Sequence, residues 1–376
     1  MAGAPEIAVI VSTFQRPGHL RRSLASLAAQ RGVEGRFEAI VVDDGSRDET
    51  PQVVAEFAAS APFRVEFATH PHAGFQLAKC RNAGIRLARA PYLLFTDGDC
   101  IFPAEHLQRH LAAARPGVVR AGDCVRLEEA VSAAIGPEQI ADGSFVRLSR
   151  EAEDWSRIRS ARWRAPFYQL IRHPVRPKLV GCNIAAWKSQ LEAINGFDER
   201  FVGWGCEDDD LAARLRRSGA RIASILHRTV AYHLWHAPHS TTPAVWSDGA
   251  NVAYYQRPAR LTRCLSGLAE RDLADVPMAV TAGSPNLQLR AAALAGLLPA
   301  GDEPEVELLL GSSGAFCHPR ASRLLIAGPD ERIPGRLKRA ADAVIRSDLD
   351  DFESILAELD RVLTGDAPAV EQRRAA

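Results

Sequence analysis

Tyr92-Leu93-Leu94-Phe95-Thr96, followed at once by Asp97-Gly98-Asp99, is the stretch whose reading decides the fold. The first five residues suit a strand buried on both faces. Two carboxylates separated by a glycine at a strand's end can face one ligand. Carboxylates prefer hard cations such as Mg²⁺ and Mn²⁺, which bridge diphosphates. Taken alone, Asp-Gly is also an ordinary turn. Repetition argues for the ligand. Ile7 to Ser12 (IAVIVS) is an apolar run that leads into Thr13-Phe14-Gln15-Arg16-Pro17, and Phe37 to Val42 (FEAIVV) runs into Asp43-Asp44-Gly45-Ser46. Strands that end in Ser, Thr or Asp loops on one sheet edge make a nucleotide site, because open α/β sheets bind ligands at the carboxyl ends of their strands.

The connections read as helices. Pro17 suits a first helical position, and Leu20, Leu24 and Leu27 recur at helical spacing. Asp43, Asp44 and Ser46 either meet a ligand or cap a helix that starts near Glu49. Val65 to Ala68 predicts a third strand, and His70 to Phe75 a loop. Gln76 to Ala88 predicts a helix with Lys79, Arg81 and Asn82 on its early turns. Basic groups there suit a bound phosphate, or they are exposed surface charge.

The 376 residues allow two or three domains, and 47% hydrophobic with 24% charged residues is a globular mix. Lys+Arg and Asp+Glu both number 46, so no basic excess points to nucleic acid. The seven cysteines form no CxxC pair, which fits a reducing cytosol. MAGAPEIAVIVSTF has no basic segment before a long apolar core, and no apolar run approaches the roughly 20 residues of a membrane helix. The expectation is a cytoplasmic protein, with peripheral contact at the inner membrane surface left open.

Further along, Gly203-Trp204-Gly205-Cys206-Glu207-Asp208-Asp209-Asp210 opens an amphipathic helix, LAARLRRSGAR. Four adjacent carboxylates repel one another. Glycines on both sides of a tryptophan suit a loop that offers an indole face to a sugar ring.

The ordered set IVSTFQR, VVDDGS, KCRNAG and LLFTDGDC resembles the nucleotide-sugar half of inverting family 2 glycosyltransferases with a GT-A fold. The later stretch GCNIAAWKSQLEAINGFDERFVGWGCEDDD resembles the acceptor half of the beta-1,4-galactosyltransferases. Together they cover about residues 5 to 240. The resemblance implies an α/β, Rossmann-like sheet and a UDP-sugar donor. It implies that Ser12, Thr13, Phe14 and Arg16 line the base pocket, that Asp44 reads uracil, and that Arg81 approaches the diphosphate. Asp97 and Gly98 would face the ribose or sugar, and Asp99 would ligate the metal. Asp208 would be the general base beside Glu207. Trp204, Asp209, Gly203 and Gly205 would cradle the acceptor sugar, and Asn183, grouped with the acceptor contacts, would lie near the donor sugar. The remaining metal ligand should be a downstream histidine. His233 follows an apolar strand, and the spacing lets His236 join it, whereas His227 and His239 read as surface residues. The galactosyltransferases carry a Met near this point and this chain does not. The resemblance implies Mn²⁺, and the missing Met leaves Mg²⁺ open beside it.

The implied organisation is a nucleotide-sugar half (1–122), an insertion or acceptor lid (123–178), an acceptor half (179–258), a small α/β module (259–364) and a disordered tail (365–376). In the insertion, the Arg-rich helix either faces an anionic lipid-linked or phosphorylated glycan, or solvates its basic side while Trp155, Trp163, Phe167 and Leu170 pack inward. Gly311-Ser312-Ser313-Gly314 lacks the Gly-Lys-Ser/Thr of a phosphate loop. The expected activity is metal-dependent, inverting transfer of a hexose or N-acetylhexosamine onto a glycan or lipid-linked glycan in bacterial surface polysaccharide synthesis. The alternatives are a retaining or polypeptide-directed transferase and a non-catalytic glycan- or nucleotide-binding scaffold on the same fold.

Overall fold

Strands β1 (Ile7–Thr13) and β2 (Phe37–Asp43) are buried at every residue, as unbroken apolar runs demand of strands covered on both faces. They pair in parallel. β3 (Arg64–Thr69) adds to β2, and β4 (Tyr92–Asp97) adds to the other side of β1. Helices α1 (Pro17–Ala28), α2 (Thr50–Ser60) and α3 (Leu77–Leu87) make the crossovers, and α1 buries Leu20, Leu24 and Leu27. The register sets Thr13 opposite Asp43, Asp43 opposite Thr69, and Ser12 opposite Asp97. Four carboxyl ends thus share one edge. In this computed structural model, residues 4–238 and 241–365 are described.

The rest of the first unit follows as β5 (Cys100–Ile101), α4 (His106–Ala113), β6 (Val118–Ala121) and β7 (Cys124–Arg126). Next come α5 (Glu129–Ala133), α6 (Pro137–Ala141), α7 (Phe145–Leu148) and α8 (Trp155–Leu170). Then β8 (Ile184–Trp187), α9 (Lys188–Glu192), α10 (Glu207–Arg217), β9 (Arg221–Ser224) and β10 (Ala231–His233) complete it. The central sheet has the order β3-β2-β1-β4-β8-β6-β9 and is parallel except where β8 inserts antiparallel. A second sheet, β5-β10-β7, carries a separate apolar cluster in which Ile135, Ile140, Phe145 and Ile158 of the insertion pack with Val125, Leu226 and Tyr232. Trp155 joins that cluster, but Trp163, Phe167 and Leu170 do not pack inward: they are 81%, 59% and 81% exposed.

By contacts, the chain divides after Asn251, seven residues before the 258/259 boundary read from the sequence, and the first three segments of that reading form one unit. The second unit holds α11 (Val252–Tyr255), β11 (Met278–Ala282), α12 (Gln288–Ala295), β12 (Val306–Leu310), β13 (Ser322–Ala327), α13 (Gly335–Ala340), β14 (Ala343–Arg346) and α14 (Phe352–Thr364). Its four strands are all parallel in chain order. Helices α13 and α14 follow β13. β14 lies between them, because pairing to β13 overrides the helical propensity of an Ala-rich stretch. At Ser312 the amide donates to Glu331 Oε1 at 2.8 Å, so the chain's own carboxylate occupies that glycine turn. The expected tail, beyond Gly365, lies outside the described residues.

Candidate active site

Backbone pairing brings a histidine to the Asp-Gly-Asp turn. β10 runs antiparallel to β5 with His233 opposite Cys100, and the Leu234 amide donates to the Asp99 carbonyl at 2.9 Å. His233 Nε2 then lies 3.4 Å from Asp99 Oδ1, and His236 Nε2 lies 3.1 Å from Oδ2. The three donor atoms all fall within 4.8 Å of one another. Neighbouring donors of a six-coordinate ion with bonds of about 2.1 Å sit about 3 Å apart. One carboxylate and two imidazoles thus fit a divalent ion, and Mn²⁺ accepts both ligand types.

Burial works to raise Asp99, but His233, His236 and Arg16 outweigh it and hold the carboxyl well below the usual carboxylate range. Burial works to lower His236, and Asp99 overcomes it, so His236 is raised. Desolvation pushes Asp97 up to about 6, with Arg81 opposing and Asp99 adding to the rise. Between the two acids no side chain fits: a Cβ on Gly98 would lie 2.9 Å from Thr13 Oγ1 and 3.2 Å from the Ser12 carbonyl. Arg16 departs from its expected place in the base pocket. Its Nη1 donates to Asp99 Oδ2 at 2.8 Å, so its guanidinium sits at the carboxylate that faces His233 and His236.

Around Asp44 the structure brings together Phe14, His70 and His72. Phe14 stacks on His72 with ring centroids 4.3 Å apart. His72 Nδ1 lies 2.8 Å from the Asp44 carbonyl, and the Gln76 amide donates to Asp44 Oδ2 at 3.1 Å. Asp44 Oδ1 and Ser12 Oγ are buried without a hydrogen-bond partner. Burial raises Asp44 against the pull of Gln76, His70 and His72. Helix capping does not account for this loop, since α2 has no side-chain cap and Asp43 accepts instead from the Ser46 amide and Thr69 Oγ1, each at 2.8 Å.

The acid run is neutralised residue by residue. It opens α10, where negative charge suits the helix dipole. Asp208 Oδ1 accepts from Arg81 Nη1 at 2.8 Å, and Oδ2 accepts from the Gly181 amide at 2.7 Å. Glu207 Oε1 lies 3.4 Å from the same Nη1. Asp209 meets Lys178 Nζ at 3.2 Å. Asp210 is fully buried and accepts from Arg214 Nε at 2.6 Å. Burial and the Asp208 charge push Glu207 up to about 8 although Arg81 opposes. Trp204 stays 41% exposed, and positive φ at Gly203 and Gly205 (90° and 94°) forms its loop, which the Asn251 amide holds through both glycine carbonyls.

Two further expectations change. Arg81 does not stand free for a diphosphate: it is 1% exposed among carboxylates, with Nη2 3.7 Å from Asp97 Oδ1. Asn183 does not face a sugar. Its chain turns as a 3₁₀ segment (Gly181–Asn183) that points the side chain inward, where it meets His110 Nε2 at 3.0 Å and donates to the Asp123 carbonyl at 3.1 Å. Asn82 likewise clamps the Phe197 backbone. His227 is exposed, and His239 lies outside the described residues. Sequence reasoning passed over His70 and His72, whose only signal is a His-Pro-His loop at a strand's end, and His19, whose Nε2 lies 2.9 Å from the Trp235 carbonyl beside His236.

Residues 8–187 match the family described as Glycosyl transferase family 2, and residues 169–238 match the N-terminal domain of galactosyltransferase. Residues 8–187 are therefore a family 2 glycosyltransferase domain, followed by a galactosyltransferase-like carboxyl side. Among curated proteins the chain is similar to validoxylamine A glucosyltransferase of Streptomyces hygroscopicus subsp. limoneus, 30% identical over 252 residues, 63% of this chain and 53% of that one. It is also similar to chondroitin synthase of Escherichia coli, 26% identical over 60% of this chain and 34% of that one. The chain thus spans about half of the first relative and a third of the second. A solved structure of S. aureus TarS 1-349 in complex with UDP-GlcNAc aligns at 19% identity and a TM-score of 0.48, over 67% of this chain and 64% of that one.

Proposed function

We propose that the chain is a metal-dependent, inverting glycosyltransferase that moves a hexose or N-acetylhexosamine from a UDP-sugar to a glycan acceptor in bacterial surface polysaccharide synthesis. The observation that carries this reading is the reach of Arg81. One buried guanidinium spans from Asp97, beside the Asp99 donor set, to Asp208 on α10. Donor and acceptor chemistry then meet at one buried side chain. The relatives' names, a glucosyltransferase and a chondroitin synthase, support sugar transfer.

In this reading the buried open oxygen of Asp44 accepts the imide N–H of uracil, with Ser12, Thr13 and Phe14 lining the nucleoside. Asp97 and Gly98 face the ribose or sugar. Asp99, His233 and His236 hold a divalent cation, Mn²⁺ by preference and Mg²⁺ as substitute, which when bound neutralises charge on the leaving diphosphate. Asp208 takes the proton of the attacking acceptor hydroxyl. Arg81 and the Gly181 amide fix the direction of its carboxylate. One base acting from the face opposite the leaving group implies in-line attack, so an α-linked donor gives a β-linked product. Trp204 and the Gly203 and Gly205 backbone receive the acceptor ring, with Asp209 at the rim. The acceptor is a glycan or lipid-linked glycan, met in the cytoplasm at the inner membrane surface.

The test is release of UDP from a panel of UDP- and GDP-sugars with and without Mn²⁺. Metal-dependent turnover of UDP-galactose or UDP-GalNAc is expected. Turnover of GDP-sugars alone, or UDP binding indifferent to metal in calorimetry, overturns the reading.

A further inference from the structure

Between Trp155 and Lys178 the sequence holds six arginines and one lysine and no acidic residue. α8 occupies most of this stretch, and only Ile158 and Ala165 of the helix are buried. Trp163, Phe167, Leu170 and Ile171 are 81%, 59%, 81% and 49% exposed. Their spacing of four, three and one residues puts them on one side of the helix. Val175, just beyond, is 51% exposed. Arg159, Arg162 and Arg164 are exposed on the helix, and Arg172 and Arg176 are exposed on the turn after it. Among the described residues Arg159, Arg164, Arg172 and Arg176 make no ion pair.

Soluble proteins rarely leave so many adjacent large apolar side chains uncovered without a partner. The partner must accept aromatic and aliphatic side chains to a shallow depth while offering negative charge on either side of them. A folded acidic protein would supply the charge, but the apolar stripe is convex and rimmed by arginine, the arrangement of helices that lie in a bilayer interface. Among the described residues no helix is long and apolar enough to cross a membrane, so attachment would come from such a face.

We propose that this face of α8 and the turn through Arg176 docks on an anionic phospholipid surface, with Trp163, Phe167 and Leu170 among the acyl chains and the arginines on the phosphates. The proposal rests on the membrane-surface reading above and gives it residues and a lipid class. It also has a consequence for the site: the chain from this face runs directly to Lys178, which pairs with Asp209, and to Gly181, which holds Asp208.

The experiment is co-sedimentation of the full chain with vesicles of phosphatidylcholine alone and of phosphatidylcholine mixed with phosphatidylglycerol. Binding to the mixed vesicles, weakened by salt, is expected. The variant Trp163→Ser/Phe167→Ser/Leu170→Ser should lose about a hundredfold or more in partitioning. Arg164→Gln and Arg172→Gln should each lose roughly fivefold. UDP binding measured by calorimetry should be unchanged in all of them, which shows that the fold is intact. Wild-type protein that ignores the mixed vesicles overturns the proposal. So does a triple variant that binds them equally well, which leaves membrane attachment standing but moves it off this face. Self-association of the wild type, abolished in the triple variant and without vesicle binding, assigns the face to a second copy and equally overturns it. Failure of sugar turnover with vesicle binding retained sinks the transferase reading alone.

Discussion

Arg81 Nη1 stands 2.8 Å from Asp208 Oδ1, and the arginine side chain is 1% exposed. A carboxylate proposed to take a proton is thereby locked to a buried cation that cannot itself give one up. The same guanidinium reaches Glu207 and Asp97, so a single side chain holds together charges that would otherwise repel one another.

Removing it should therefore unfold more than a contact. Arg81→Ala leaves buried acids unpaired and is expected to cost about 3–5 kcal/mol of stability. Arg81→Lys keeps the charge but not the planar fork, and should fall between the two. Chemical denaturation measures both, and an alanine variant as stable as wild type would contradict the network.

Asp208→Asn retains the shape and one acceptor for Arg81 or Gly181. Turnover is expected to fall about 10²–10⁴-fold with UDP binding unchanged. Parallel steady-state kinetics and calorimetry would check this, and wild-type turnover would remove Asp208 as the base.

His233→Ala and His236→Ala should each weaken Mn²⁺-dependent UDP binding. The pH dependence has a definite sign. His236 is raised above its ordinary 6.5, because Asp99 favours the protonated ring more than burial disfavours it. A protonated imidazole cannot ligate, so metal affinity should climb as pH rises through that raised value. Calorimetric Mn²⁺ titrations across pH should lose this step in His236→Ala. An unaltered profile would place His236 outside the metal set.

Glu207 gives a stability signature. Burial lifts it from an ordinary 4.5 to about 8, so the folded state keeps a proton that the unfolded chain has already lost. Its contribution is full below about pH 4.5 and is lost as pH rises through about 8. Thermal melts across that window should decline less steeply for Glu207→Gln than for wild type. Equal slopes would mean that Glu207 is ionised throughout.

Gly98→Ala tests the tightness of the turn. A Cβ 2.9 Å from Thr13 Oγ1 must push Thr13 or the turn aside. The cost is about 1–3 kcal/mol, with weaker Mn²⁺ binding because Asp97 and Asp99 move with the backbone. Denaturation and calorimetry together would detect it, and a variant matching wild type in both would show that the turn can relax.

The sheet of the first unit and the acids at its strand ends were legible in the sequence. Ile7 to Ser12, Phe37 to Val42 and Tyr92 to Thr96 are local apolar runs, and Asp44, Asp97 and Asp99 follow them directly. The Trp204 loop and the acids of α10 were legible for the same reason, being contiguous. Properties that depend on distant pairing were not. The family resemblance pointed to His233 and His236 as partners of Asp99, but the register of β10 against β5 that brings His233 there is not local, and β14 becomes a strand only because β13 is there to pair with it. Side-chain direction was equally hidden. Asn183 turns inward to His110, Arg16 turns to Asp99, and Arg81 meets acids more than a hundred residues away instead of standing open to a phosphate. The α8 stripe shows the limit from the other side. Its sequence carries the apolar spacing and the arginines, but whether Trp163, Phe167 and Leu170 enter a core is settled by what packs beside them. Composition and local periodicity belong to neighbouring residues and survive in the linear chain. Burial, ion pairing and the meeting of Asp99 with His233 and His236 are set by residues remote in sequence, and only the tertiary structure brings those together.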